Sequence, residues 1–142
     1  MWQRVQMLLS QELEKRTDGK ANRPVNVPRS RKALHRREAP ERVPRISRLM
    51  ALALKFEQML QQGVVTDYTL LAELGRISQP RLTQIMNLRN LAPDIQEQIL
   101  FLTWREADQC RIYERSIRRL SSVLHWEEQR AQWLVLTSVS TS

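Results

Sequence analysis

From Ser78 to Leu88 the chain reads SQPRLTQIMNL, with uncharged hydrogen-bonding side chains at helical spacing. Counting about 100° per residue, Gln79, Pro80, Thr83, Gln84 and Asn87 cover an arc of about 140°, and Leu82, Ile85 and Met86 take the other side. The chemistry open to such a face is recognition. Glutamine and asparagine can pair with adenine, arginine with guanine, and threonine offers a hydroxyl or a methyl to thymine. Gln79, Arg81, Thr83, Gln84 and Asn87 are therefore the candidate base or groove contacts, with Arg76, Ser78 and Arg89 as candidate phosphate contacts. Arg89 falls within the apolar arc, which leaves it two placements: past the end of the docked region, or with its stem buried and its head at the DNA backbone. Ser78 suits an N-cap, and Pro80 falls where no intrahelical N–H is yet required, so the proline marks a helix start.

A reading helix over 79–89 needs elements to hold it. Upstream, Ile46, Leu49, Met50, Ala53, Phe56 and Leu60 fall within about 120° of a helical wheel and predict a buried helix that Gly63 stops. Leu52 and Leu54 lie outside that arc, so more than one side of this helix is expected to be covered. Thr66 or Asp67 can cap a brief helix over 68–74 that ends at Gly75. Two short helices across a glycine turn, the second with a polar face, are the layout of a helix-turn-helix, whose second helix lies in the DNA major groove. Pro93 opens a further helix, with Ile95, Ile99 and Leu102 on one side. No strand-like alternation runs beyond a few residues. The expected class is all-α: a small helical bundle containing a helix-turn-helix over 45–103, preceded by a flexible basic arm over 1–44 and followed by a helical segment over 104–142.

Charge supports that division. Residues 1–48 hold thirteen Lys/Arg against five Asp/Glu, and residues 49–142 hold ten against ten, so the net +8 sits in the first third. That third also has four of the six prolines and one aromatic, Trp2, leaving little apolar surface to offset the entropy of ordering it. Arg29, Arg31, Lys32, Arg36 and Arg37 are expected to meet phosphates. The bland alternative is a solvated tail. Residues 2–16 can form a short amphipathic helix with Trp2, Val5, Leu9 and Leu13 on one side.

Several classes of function are disfavoured. One cysteine, Cys110, makes no internal disulfide, and His35 and His125 stand far apart, so neither a metal site nor a cofactor is expected. No apolar run approaches a membrane span and no signal-peptide core precedes the charges, which suggests a cytoplasmic protein. Tyr113 has Arg111, Arg115, Arg118 and Arg119 nearby, as a phosphoryl-transfer nucleophile would require, but arginines on a charged helix are commoner. No paired carboxylates or glycine-rich phosphate loop accompany them, so no enzyme and no small-molecule substrate are expected.

The segment LLAELGRISQPRLTQIMNLRNLAPDIQEQIL, 70–100, resembles the helix-turn-helix of the ParB/KorB partition-protein family. Leu71-Ala72, Ser78, Leu82, Ile85, Met86, Leu88, Leu91, Pro93 and Ile95 follow that family's order. Gly75 stands one position earlier than the family's glycine, with Arg76 in its place. The family's nucleotide-binding domain with its Gly-Glu-Arg-Arg box has no counterpart here. The resemblance therefore implies the DNA-binding module alone, as in short proteins of phage or plasmid type.

In the last third, Tyr113, Ile117, Leu120, Leu124, Glu127, Ala131 and Leu134 are spaced as three heptads, apolar except at Glu127. Two uses are open: a coiled coil joining a homodimer, or a helix folded back to bury Trp126 or Trp133. The function expected from these readings is sequence-specific binding of double-stranded DNA, in a transcriptional or mobile-element accessory regulator. The rivals are non-specific nucleic-acid binding through the arm and a helical protein-interaction adaptor.

Overall fold

One helix, α2 (Arg45–Gln61), serves as the axis around which the rest is arranged. In the computed structural model, which describes residues 1–18 and 42–138 and the side chains of 1–10 and 42–138, every regular element is helical. Before α2 comes α1 (Trp2–Asp18). After it come α3 (Tyr68–Gly75), α4 (Gln79–Met86), a 3-10 turn (Asn87–Asn90), α5 (Pro93–Leu100), α6 (Trp104–Gln109), α7 (Glu114–Ser121) and α8 (Trp126–Ser138). No described helix is long and apolar enough to cross a membrane.

The arc expected to be buried on α2 is buried: Ile46, Met50, Ala53 and Phe56 lie in the core, and Leu49 and Leu60 are half-buried. Ala51 and Leu54 are buried too, because α2 touches α1, α4, α5, α7 and the 3-10 turn. Its end is closed by two backbone bonds, Val64 N–H to Met59 O at 3.0 Å and Gly63 N–H to Leu60 O at 3.2 Å. Gly63 takes φ +73° there, a conformation that favours glycine because no Cβ meets the following carbonyl.

The boundary at residue 44 needs correction. Helix α1 packs on α2 and buries Val5 and Leu8 completely, each contributing roughly 1.5–3 kcal/mol by leaving water. Its Arg4 Nε donates to Leu100 O at 2.9 Å, and the guanidinium lies 5.7 Å from the centre of the Phe101 ring. Leu100 is the last residue of α5, where carbonyls lack intrahelical partners and the helix dipole favours a cation. Buried Ser47 of α2 serves the same end, donating to Ile99 O at 2.6 Å. The helix expected over 2–16 is present, but its place in the fold is not legible in the sequence, because its two core residues sit in a largely polar stretch. The basic residues Arg29, Arg31, Lys32, Arg36 and Arg37 lie outside the described residues.

The three-heptad reading of the last third is also corrected. Residues 113–134 do not form one helix: α7 ends at Ser121 and α8 begins at Trp126. Leu124, a core position of the supposed coiled coil, lies in the break and is 85% exposed. The fold-back alternative holds for Trp133, which is buried, with Nε1 donating to Gln98 Oε1 at 2.7 Å. Trp126 stays half in water while its Nε1 donates to Asn90 O at 3.2 Å. An ion pair from Arg130 to Asp94 ties α8 to α5 and holds the Asp94 carboxyl below its ordinary range. Helix α6 is an element that the apolar spacing does not predict. Thr103 and Glu106 cap it reciprocally: Glu106 N–H donates to Thr103 Oγ1 at 3.2 Å and Thr103 N–H donates to Glu106 Oε2 at 2.9 Å.

Candidate functional site

Helix α4 begins where Ser78 and Pro80 predict. The Ser78 hydroxyl accepts from Arg81 N–H at 3.3 Å, and Pro80 sits in the first turn. Its inner face is Leu82, Ile85 and Met86, all buried, with Leu88 following in the 3-10 turn. Its outer face is Gln79, Pro80, Thr83, Gln84 and Asn87, all exposed. The helix is shorter than the expected 79–89, because the chain tightens into a 3-10 turn at Asn87. Asn87 therefore stands at the hinge between the two and still faces outward.

Ahead of α4, helix α3 is capped by the Asp67 carboxylate, which accepts from Leu70 N–H at 2.8 Å. It ends one residue later than expected. Gly75 stays helical, and Arg76 takes the left-handed conformation, φ +52°. The reason lies in packing: a Cβ on Gly75 would come within 3.2 Å of Phe56 Cζ. Glycine is used here for close approach, and Arg76 carries a left-handed strain of about 1–2 kcal/mol. Ile77 N–H to Ala72 O at 3.1 Å and Arg76 N–H to Glu73 O at 3.2 Å close the end as at α2. The Arg76 side chain is exposed at the entrance to α4.

The polar side chains of α4 are not equally free. Gln79 Nε2 donates to Thr69 Oγ1 of α3 at 3.1 Å, bridging the two helices. The Thr83 hydroxyl donates to Gln79 O at 3.1 Å and keeps its methyl and lone pairs outward. Arg81 is the largest departure from expectation. Both its terminal nitrogens reach the Glu114 carboxylate of α7, Nη2 at 3.3 Å from Oε2, and its side chain is only 26% exposed. Arg81 is thus held across the helix edge instead of projecting freely as a base contact.

Glu114 gathers more than one arginine. Arg118 Nη2 lies 3.0 Å from its Oε1 and Arg45 Nε 3.7 Å from its Oε2. Hydrogen bonds from Arg81, then from Arg118, hold this carboxyl below its ordinary range against the opposing effect of partial burial. Three arginines on one carboxylate leave a local excess of positive charge at this edge of α4. Beside it a cleft of about 330 Å³ is lined by Arg45, Arg48 and Arg81 over Leu49, Leu52, Ile77 and Ile85.

Arg89 is corrected outright as a phosphate contact. It pairs with Glu57 of α2, and its Nη1 donates to Gln96 Oε1 at 2.7 Å. Burial pushes its guanidinium pKa down. Its place in the apolar arc is the cause: that side is turned toward the protein, so the stem is half-buried and the head meets Glu57 of α2 and Gln96 of α5.

Sequence reading missed Arg45, Glu114 and Arg118 as members of this site. They lie more than thirty residues from Arg81 along the chain, and only the docking of α7 and α2 brings them to α4. The one available signal was the run of arginines around Tyr113. Among the described residues, no group of three or more His, Cys, Asp or Glu side chains could hold a metal ion. The chain matches no family model, no curated protein and no solved structure.

Proposed function

We propose that the protein binds double-stranded DNA sequence-specifically, with α3 and α4 as a helix-turn-helix and α4 as the helix that enters the major groove. The observation that carries this reading is the make-up of the exposed face of α4. Thr83, Gln84 and Asn87 project uncharged donors and acceptors from a helix whose opposite side is anchored by three buried apolar residues. A merely solvated face gains nothing from being short of charge, whereas a reading face must tell bases apart by donor and acceptor pattern.

The surroundings fit the same task. Arg76 stands at the entrance to α4, and Arg45 and Arg118 stand along its edge, where phosphates flanking a groove would be met. The basic residues Arg29, Arg31, Lys32, Arg36 and Arg37 add sequence-independent affinity. The role in a cell is that of a transcriptional or mobile-element accessory regulator acting without a cofactor.

The deciding experiment is selection from a randomised duplex pool at near-physiological salt, with wild type beside a Thr83/Gln84/Asn87→Ala variant. Wild type is expected to enrich a motif that the variant does not, and removing each base-reading side chain should cost about 1–3 kcal/mol. Enrichment of the same motif by both proteins rejects α4 as the reader. Replacing the five arm residues by glutamine should weaken binding to all DNA alike and flatten the salt slope by about 0.9 for each phosphate no longer neutralised.

A further inference from the structure

Gln84 lies between two guanidiniums. Its Oε1 accepts from Arg81 Nη1 at 3.2 Å and from Arg118 Nη2 at 3.3 Å. Glu114 holds both arginines in place, taking Arg118 Nη2 at 3.0 Å and both terminal nitrogens of Arg81. A guanidinium has donors only, so the amide oxygen must be the atom that faces it. Turning the amide over would set N–H against N–H on two sides. The Gln84 NH2 group is therefore directed away from the bracket, and among the described residues it donates to none.

Outward, then, Gln84 offers hydrogens and no acceptor. A free glutamine recognises adenine by giving a hydrogen bond to N7 and taking one from the N6 amino group. Gln84 cannot take one, since its oxygen is already engaged. Guanine alone shows two acceptors, O6 and N7, and no donor on its major-groove edge. Adenine and cytosine each set an amino group against the amide hydrogens, and thymine offers a single acceptor beside a methyl.

Resting on the proposed reading role of α4, we propose that Gln84 is a donor-only probe that specifies guanine, and that Glu114 is the positioning residue that makes it so. Without the carboxylate, Arg81 and Arg118 repel one another and move apart. The amide then turns freely, and adenine becomes acceptable at the position that Gln84 reads.

The test is selection from a randomised duplex pool with full-length wild type, Gln84→Ala, Gln84→Lys, Glu114→Gln and Arg118→Ala, each first matched to wild type by circular dichroism. At the position relaxed by Gln84→Ala, wild type should prefer guanine over adenine by about tenfold. Glu114→Gln and Arg118→Ala should cut that ratio to about threefold or less, and Arg118→Ala should also weaken binding to all sequences alike, as the loss of a phosphate contact does. Gln84→Lys has donors and no acceptor, and should keep guanine. Arg118 is exposed, so its variant reports even if Glu114→Gln does not fold. Adenine at that position in wild type, or a guanine preference indifferent to both bracket variants, overturns the inference while leaving α4 as the reading helix. A wild type that enriches no motif overturns both.

Discussion

Gln96 and Gln129 sit in the interior, and Gln79 and Gln84 on the outer face of α4. Gln96 gives Nε2 to Leu91 O at 2.7 Å and to Arg89 O at 3.1 Å, and takes Arg89 Nη1 on its oxygen. Gln129 takes Ala92 N–H at 2.8 Å and donates to Val123 O at 2.8 Å and Asn90 O at 3.1 Å. Between them they satisfy backbone groups in the stretch between α4 and α5 and, at Val123, in the turn between α7 and α8. The outer pair commits only half of each amide to the protein, Gln79 its nitrogen and Gln84 its oxygen. The same side chain thus serves as internal cement in one region and as an open hydrogen-bonding group in the other. What decides the use is burial: an interior amide must be fully paired, and a surface one need not be.

Breaking the interior pair should have the largest effect. Gln129→Leu leaves the buried N–H of Ala92 and the carbonyl of Val123 unpaired, and should cost about 2–4 kcal/mol in urea unfolding. A loss below about 1 kcal/mol would mean that water or a shifted backbone replaces the amide. Gln96→Leu should cost slightly less, about 2–3 kcal/mol, and should also unseat Arg89 from its partners.

Acid should separate the two regions next. The folded-state pKa of Glu114 is depressed, so its contribution to stability is present above the ordinary value of 4.5 and is lost as pH falls through the folded value. Thermal unfolding of wild type should therefore drop below about pH 4.5 by more than that of Glu114→Gln, whereas Gln129→Leu should keep the full acid drop. Parallel pH curves for wild type and Glu114→Gln would remove Glu114 from the account.

The smaller effects concern the surface. Arg76→Gly relieves the left-handed strain at the end of α3 and should raise stability by about 0.5–1 kcal/mol. Gln84→Ala should leave unfolding within about 0.5 kcal/mol of wild type, since this exposed amide accepts only from arginines that Glu114 also holds. A loss of about 2 kcal/mol or more there would place Gln84 with the interior pair and weaken its proposed reading role.

The helices with strong local signals were legible in the sequence. The period of apolar residues marked α2, Ser78 with Pro80 marked the start of α4, and Pro93 marked the start of α5, because caps and prolines act through their own backbone neighbourhood. Helix α1 was legible as a helix but not as part of the fold, since two buried side chains in a largely polar stretch make a weak period. The heptad spacing across 113–134 misled for the opposite reason: a regular repeat does not exclude a break, and Ser121 and Ser122 with the Leu124 region let the chain turn back. Of the candidate site, the outward placement of Gln79, Thr83, Gln84 and Asn87 followed from helical geometry. The engagement of Arg81 and Arg89 did not, because their partners Glu114, Glu57 and Gln96 come from other helices.

By itself, then, the sequence determined where the main helices lie and which sides of α2 and α4 are buried, for these depend on residues three or four apart. Only the tertiary structure decided which arginines are engaged inside the protein, which amide atoms face outward and that a side chain on Gly75 would press on Phe56. Those are matters of distance between segments tens of residues apart, and a distance of that kind exists only once the helices have packed.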